Sequence, residues 1–262
     1  NQKQTQRVKI ILGVKAKLFF LSVFFLLAWC DAEDSTCRYV VTPNVDHVVM
    51  YQSRDDLRSA YEGAELVLAD GAPVVLASRL LRRGLPERVA GSDLVPALFD
   101  RVASDNNFAQ RPLRVFLLGA APGVAERAAH RIHQQWNNIA VVGTYSPPLG
   151  FEHDASENSL ILEKIAAVKP DLILIGLGAP KQELWTHRHA NQLSGKAALC
   201  IGATIDFLAG EKARSPRWMQ RVGLEWFHRL AREPARLAKR YFHDAWIFPQ
   251  LVWQEWRGCL GK

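Results

Sequence analysis

The sequence contains no D-x-D triplet, so it lacks a common means of holding a divalent cation on a nucleotide diphosphate. It also lacks G-x-G-x-x-G, the glycine spacing with which dinucleotide-binding βαβ units approach a pyrophosphate. Cysteine is sparse: Cys30, Cys37, Cys200 and Cys259 are scattered without C-x-x-C spacing. That argues against a disulfide framework or a zinc site and favours a reducing compartment. Cys200, in the apolar run Ala197–Ile201, reads as a buried small hydrophobe. No internal repeat or low-complexity tract occurs, and the longest apolar run falls short of the roughly 20 residues of a spanning helix.

What is present is a chain of 262 residues, 48% hydrophobic and 23% charged. This suits one large α/β domain, alone or with an appendage, and excludes a disordered or collagen-like chain. The net charge of +7 is unevenly placed, because residues 211–262 hold eleven Lys/Arg against five Asp/Glu. The first 210 residues are almost neutral, and the basic tail also carries five of the eight Trp. A localised charge of this kind argues against nucleic acid as a partner.

Lys9, Lys15 and Lys17 precede Leu18–Cys30, thirteen residues that are apolar except for Ser22. Residues 1–37 therefore read as an atypical segment with the form of a signal peptide or short anchor. The bland alternatives are a buried strand or helix, or an aberrant N-terminus.

From Arg38 onward, short apolar runs recur at Tyr39–Thr42, Leu66–Ala69, Val115–Leu118, Ile139–Val142, Leu172–Ile175 and Ala198–Ile201. Helix-like stretches lie between most of them: Val74–Arg82, Gly123–Trp136, Ser156–Val168 and Lys181–Gln192. This alternation predicts a doubly wound, Rossmann-like α/β domain over residues 38–210, with a parallel sheet. Right-handed crossovers place every strand's C-terminal end on one edge, where ligands collect. Nearly every turn on that edge combines Gly or Pro with a polar side chain, as in Thr42-Pro43-Asn44, Asp70-Gly71 and Gly143-Thr144-Tyr145. The pattern favours a nucleotide pocket, since glycine admits a ligand close to backbone and helix N-termini attract phosphate.

Asp70 is either the cap of a helix starting near Pro73 or a general base whose pKa is raised by partial burial. Arg88 is either a surface partner of Glu87 or the cation facing a diphosphate, which its guanidinium fork suits. Glu183, in the first turn of a helix, reads as structural because the helix dipole favours it there. Gln182 beside it can donate to a phosphate or a sugar hydroxyl. His187 and His189 are wrongly spaced for a metal pair, and Glu152-His153-Asp154 reads as a solvated loop. In the tail, Arg229, Arg232, Arg236 and Arg240 recur every three or four residues, predicting one cationic helical stripe. With the nearby Trp residues this suggests contact with an anionic membrane surface; the alternative is a solvated face with its Trp in the core.

Taken together, these motifs resemble glycosyltransferase family 26, the N-acetylmannosaminyltransferases of wall teichoic acid and enterobacterial common antigen synthesis. The resemblance rests on Thr42-Pro43-Asn44, Ala69-Asp70-Gly71, Arg88-Val-Ala-Gly91-Ser-Asp93, Gly176-Leu-Gly178-Ala-Pro-Lys181-Gln182-Glu183, Gly202-Ala-Thr204-Ile-Asp206-Phe207 and Pro216-Arg217-Trp218-Met219. It implies inverting transfer from a UDP-sugar to a polyprenyl-diphosphate-linked sugar, with no metal and no cofactor. Asp70 matches the base, and Thr42, Asn44, Arg88, Gly178 and Gln182 match pocket positions near the diphosphate and sugar. Tyr145 and Asp206 match positions near the uridine, while Arg229 and Arg236 match diphosphate contacts in a basic appendage, residues 211–262, that docks on the membrane. The wording of Tyr145-Ser-Pro-Pro-Leu-Gly150-Phe151 leans toward the glucosyltransferases of xanthan-type exopolysaccharide assembly, which would make glucose the sugar; the alternative is N-acetylmannosamine. Because UDP-sugars are cytoplasmic, the resemblance implies a peripheral enzyme on the cytoplasmic face of the inner membrane; it leaves a homo-oligomer open. Two rivals remain: an NAD-dependent oxidoreductase built on Leu117-Leu-Gly119-Ala-Ala-Pro-Gly123, and a non-catalytic sugar-nucleotide sensor.

Overall fold

A computed structural model describes residues 9–11, 14–16, 19–32, 36–85 and 87–260. The remainder of the 1–37 segment, including Lys17 and Leu18, lies outside the described residues. The described residues begin with a small antiparallel pair, β1 (Lys9–Ile11) and β2 (Val14–Ala16), and then helix α1 (Phe19–Asp31). There follow β3 (Arg38–Val41), α2 (Val45–Tyr51), α3 (Asp55–Glu62), β4 (Leu66–Val67), α4 (Ala72–Leu80), α5 (Gly91–Ala103) and α6 (Asn106–Gln110). The second half runs β5 (Leu113–Gly119), α7 (Val124–Gln135), β6 (Ile139–Tyr145), α8 (Ala155–Val168), β7 (Leu172–Gly176), α9 (Lys181–His189), β8 (Ala197–Cys200) and α10 (Thr204–Ala209). Three helices close the chain: α11 (Arg217–Arg221), α12 (Glu225–Arg232) and α13 (Pro234–Leu260).

The main sheet has the order β4-β3-β8-β7-β5-β6, and every neighbouring pair is parallel. Helices cover both faces, as the alternation of strands and helices predicts. The period of two along each strand divides the core. Tyr39, Val41, Phe116, Leu118, Ile173, Ile175, Ala198 and Cys200 face one layer with α2, α3, α4, α8, α9 and α13. Val40, Val115, Leu117, Leu172, Leu174 and Leu199 face the other layer with α1, α5, α7 and α10. Strands buried on both sides need apolar residues at every position, which is why they appear in the sequence as continuous apolar runs.

Two boundaries differ from expectation. Strand β6 continues through Gly143-Thr144-Tyr145, which the sequence presents as a turn. Its pairing with β5 shifts register between Val115 and Phe116, and the Phe116 ring would lie 2.6 Å from a Cβ on Gly143. Glycine there admits a bulky neighbour instead of ending the strand. The four-arginine stripe is also broken: Arg229 and Arg232 belong to α12, Arg236 and Arg240 to α13, with the non-helical Glu233 between them.

Helix α1 packs on the sheet, with Leu26 and Cys30 buried in the second layer. Its C-terminal end is anchored by Lys196 Nζ, which donates to the Cys30 carbonyl at 3.0 Å, and Arg38 lies over the Trp29 ring at 5.8 Å. Among the described residues no helix is long and apolar enough to cross a membrane.

Candidate active site

The loops that follow β3, β4, β7 and β8 are laced to one another by backbone hydrogen bonds. Leu68 N donates to Val41 O at 2.9 Å, Asp70 N to Pro43 O at 2.8 Å, Val89 N to Ala69 O at 2.8 Å and Ile201 N to Ile175 O at 2.9 Å. Where β5 and β7 end, Ala120 N donates to Gly176 O at 3.1 Å. A Cβ on Gly119, whose φ is +111, would stand 2.5 Å from Gly176 O, so only glycine allows this approach. Past β5 the chain turns outward to β6, and past β7 it turns inward to β8. Ligands of open α/β sheets settle at such divergences.

Asp70 lies partly buried on this edge. It does not cap α4: Gly71 holds the N-cap position with φ 116, and no side chain caps the helix. Burial pushes its carboxyl up to about 6, against the opposing pull of Arg229 and Arg88. Around it stands a compact ion cluster. Arg88 contacts Glu225 at 2.6 Å and Asp93 at 2.8 Å. Arg214 reaches the other oxygen of Asp93 at 2.7 Å, and Arg229 lies 3.5 Å from Glu225. Arg88 is therefore a half-buried member of this cluster and not a surface partner of Glu87. Because Arg214, Glu225 and Arg229 come from the C-terminal segment, that segment forms one wall of the site.

Beneath the neighbouring loops runs a buried polar chain. Thr42, at the end of β3, donates its hydroxyl to the Cys200 carbonyl at 3.0 Å. Asn44 caps α2 and meets His47 Nδ1 at 2.9 Å. His47 Nε2 lies 3.2 Å from Glu183 Oε1, which also accepts from Gln182 Nε2 at 2.8 Å. Gln182 Oε1 in turn accepts from Gly202 N at 3.1 Å. Gln182 is 2% exposed and thus spans two loops from below. Glu183 is wholly buried, and its place in this chain says more about it than the helix dipole does. Burial presses the His47 pKa down, but Glu183, helped by Asp46 and Asp70, reverses this and holds it raised.

Gly178 follows β7 with φ +82, and open space surrounds the position of a Cβ there. Tyr145 ends edge strand β6; its hydroxyl donates to Glu157 at 2.5 Å and Lys164 sits 4.9 Å from its ring centroid. Asp206 lies in the first turn of α10, its carboxyl raised by burial. Arg236 is mostly exposed and pairs with Glu233 at 2.5 Å instead of joining the Asp70 cluster. The structure thus gathers Asp70, Arg88 and Arg229 in one group and Thr42, Asn44 and Gln182 in another.

His47, Arg214 and Glu225 are not singled out by sequence reasoning as site residues. Two spacing signals exist in retrospect: Asn44-x-x-His47 has the interval of a helix cap, and Glu225 precedes Arg229 by one helical turn. The Glu152-His153-Asp154 group is partly ordered, with Glu152 3.0 Å from Lys181 and Asp154 capping α8.

Residues 12–260 match the family model described as "Glycosyl transferase WecG/TagA/CpsF family". The chain is 31% identical over 198 residues to the N-acetylglucosaminyldiphosphoundecaprenol N-acetyl-beta-D-mannosaminyltransferase of Bacillus spizizenii, covering 76% of this chain and 72% of that protein. The proteins of the same name from Staphylococcus aureus and Bacillus subtilis are 29% and 32% identical, covering 77% and 69% of this chain and 74% and 66% of theirs. The expected glucosyl specificity finds no support in these names, which carry N-acetylmannosamine. The chain belongs to the WecG/TagA/CpsF family of glycosyltransferases.

Proposed function

We propose that this protein transfers N-acetylmannosamine from UDP-N-acetylmannosamine to the sugar of an N-acetylglucosaminyl-diphosphate-polyprenol. The relatives' names support the sugar and the acceptor. The observation that carries the chemistry is Asp70, a carboxyl at the sheet's C-terminal edge that burial raises to about 6 against the charges of Arg229 and Arg88. Such a group is largely ionised at neutral pH and basic enough to take a proton from an acceptor hydroxyl. The freed oxygen attacks the anomeric carbon as the bond to the UDP oxygen breaks, inverting the configuration. Charge growing on the departing diphosphate is met by the arginines and by backbone N–H groups of the strand-end loops.

The lipid acceptor requires a membrane-facing element. In α13, Phe242, Trp246, Trp253 and Trp256 share one helical face, opposite the buried Leu237 and Phe248 and the half-buried Leu251. Phe242 is 77% and Trp246 73% exposed, so these rings lie outside the core. We assign them, with Trp226 and Phe227 of α12, to contact with an anionic membrane surface on the cytoplasmic side, where UDP-sugars are available.

The test is product analysis with a short-chain N-acetylglucosaminyl diphosphate lipid and parallel UDP-N-acetylmannosamine and UDP-glucose donors. A disaccharide lipid formed from the first donor is expected. Product from UDP-glucose alone would restore the glucosyl reading, and no product from either would sink both.

A further inference from the structure

The buried chain beneath the loops has a direction. Glu183 Oε1 accepts from His47 and from Gln182, whereas Glu183 Oε2 and the nearby Tyr61 hydroxyl have no hydrogen-bond partner among the described residues. A carboxylate buried with one idle oxygen is costly to retain for packing alone. The contacts it does make fix the polarity of both amides. Gln182 must give its NH2 to Glu183, which leaves its oxygen for Gly202 N. His47 donates to Glu183 through Nε2. Its backbone N–H donates to Asn44 Oδ1 at 3.4 Å, which identifies that atom as the oxygen, and Nδ1 stands 2.9 Å from it; the Asn44 backbone N–H is also aimed at Nδ1, from the longer distance of 3.4 Å, so the shorter contact decides the state of this nitrogen. Two acceptors at 2.9 Å would repel, so Nδ1 also carries a proton. An imidazolium with two donors turns the Asn44 oxygen inward and leaves its NH2 for the pocket, beside Gly71, where a Cβ would lie 3.9 Å from that of Asn44.

We propose that Glu183 is a positioning residue: through His47 it orients Asn44 so that an N–H donor, not an oxygen, meets the anionic or carbonyl oxygens of the sugar-nucleotide donor. The inference rests on the donor reading of the pocket given above. The groups facing His47 are consistent with a retained charge. They are Glu183 from α9, Asp70 from the loop after β4, Tyr61 from α3 and Asp46 on its own helix, which is in turn 3.3 Å from Arg240 of α13, with Asp244 of α13 also close to Asp46. Without the Glu183 charge, burial would remove the Nδ1 proton; the Asn44 amide would then rotate to donate to Nδ1 and present its oxygen to the ligand.

The readout is the ring-nitrogen spectrum of the full chain labelled with 15N-histidine, alongside donor kinetics. Wild-type His47 should hold both ring protons at neutral pH and lose one only above the ordinary imidazole range. E183Q should hold one at neutral pH and lose roughly 10- to 100-fold in kcat/KM for UDP-N-acetylmannosamine, while E183D should recover the second proton and most of the rate. N44D keeps the cap and the His47 protons but has no NH2, and should show the same kinetic loss. One ring proton in the wild type at neutral pH overturns the proposal even if E183Q fails to fold, and so does an N44D enzyme of wild-type efficiency. The spectrum needs no turnover, so failure of the transferase reading and failure of the positioning role are separable.

Discussion

At the scale of single residues, Asp70 links stability to chemistry. Its carboxyl titrates near 6 in the folded protein against 3.8 for an unhindered side chain. Between those values the folded chain binds more protons than the unfolded one, so this group's contribution to stability falls as pH rises from about 4 to 6 and stays low above. D70N removes the ionisation. It should lower turnover by roughly 100-fold or more and, at pH 7, raise unfolding free energy by about 1–3 kcal/mol. Thermal unfolding at pH 4 and 7 checks the second part, because the gain should be confined to the higher pH. A D70N protein less stable than wild type at pH 7 would contradict the burial account. Gly119 tests the geometry of the edge independently. G119A puts a methyl against Gly176 O in a backbone conformation that disfavours side chains, and should cost about 2–4 kcal/mol in urea unfolding.

At the scale of elements, α1 decides how the apolar N-terminal run is understood. A leader or anchor would leave the domain's stability untouched when altered. The structure instead inserts Leu26 and Cys30 among Val40, Leu98 and Leu199 in the second core layer. L26A should therefore destabilise the domain by about 2–4 kcal/mol, measured as a lower urea midpoint with unchanged slope. An effect within experimental error would show that α1 is not part of the cooperative unit. The same helix shows where sequence reading stops. The six main-sheet strands and α4, α7, α8 and α9 are legible because fully buried parallel strands and amphipathic helices leave periodic apolar signals. A helix with Phe, Leu and Val on every side looks the same whether lipid or a sheet covers it. The site divides in the same way. The turns that carry Asp70 and Asn44 are visible in the sequence and Arg88 stands there as one candidate cation, whereas the His47–Glu183 pair and the Arg88–Glu225 contact join residues 136 and 137 positions apart. Local spacing carries no trace of such pairings.

At the scale of the whole molecule, the charge asymmetry becomes a question of orientation. Much of the basic tail's charge is matched locally: Arg229 by Glu225, Arg236 by Glu233 and Arg240 by Asp46. Arg232 of α12 and Lys239 of α13 remain exposed. Electrostatics alone would then be a modest attraction, about 1 kcal/mol per basic residue near an anionic leaflet, and the exposed rings should supply most of the affinity. Two substitutions separate these contributions. W246S/W253S should reduce binding to vesicles containing anionic lipid by roughly tenfold or more while leaving UDP affinity intact. R232Q/K239Q should produce a smaller loss that disappears as salt is raised. Cosedimentation at low and high salt, with calorimetry for UDP, reads both. If the charge pair dominated and the tryptophans were neutral, the rings would belong to a protein contact instead, and the route by which Asp70 meets a lipid-linked acceptor would have to run along another face.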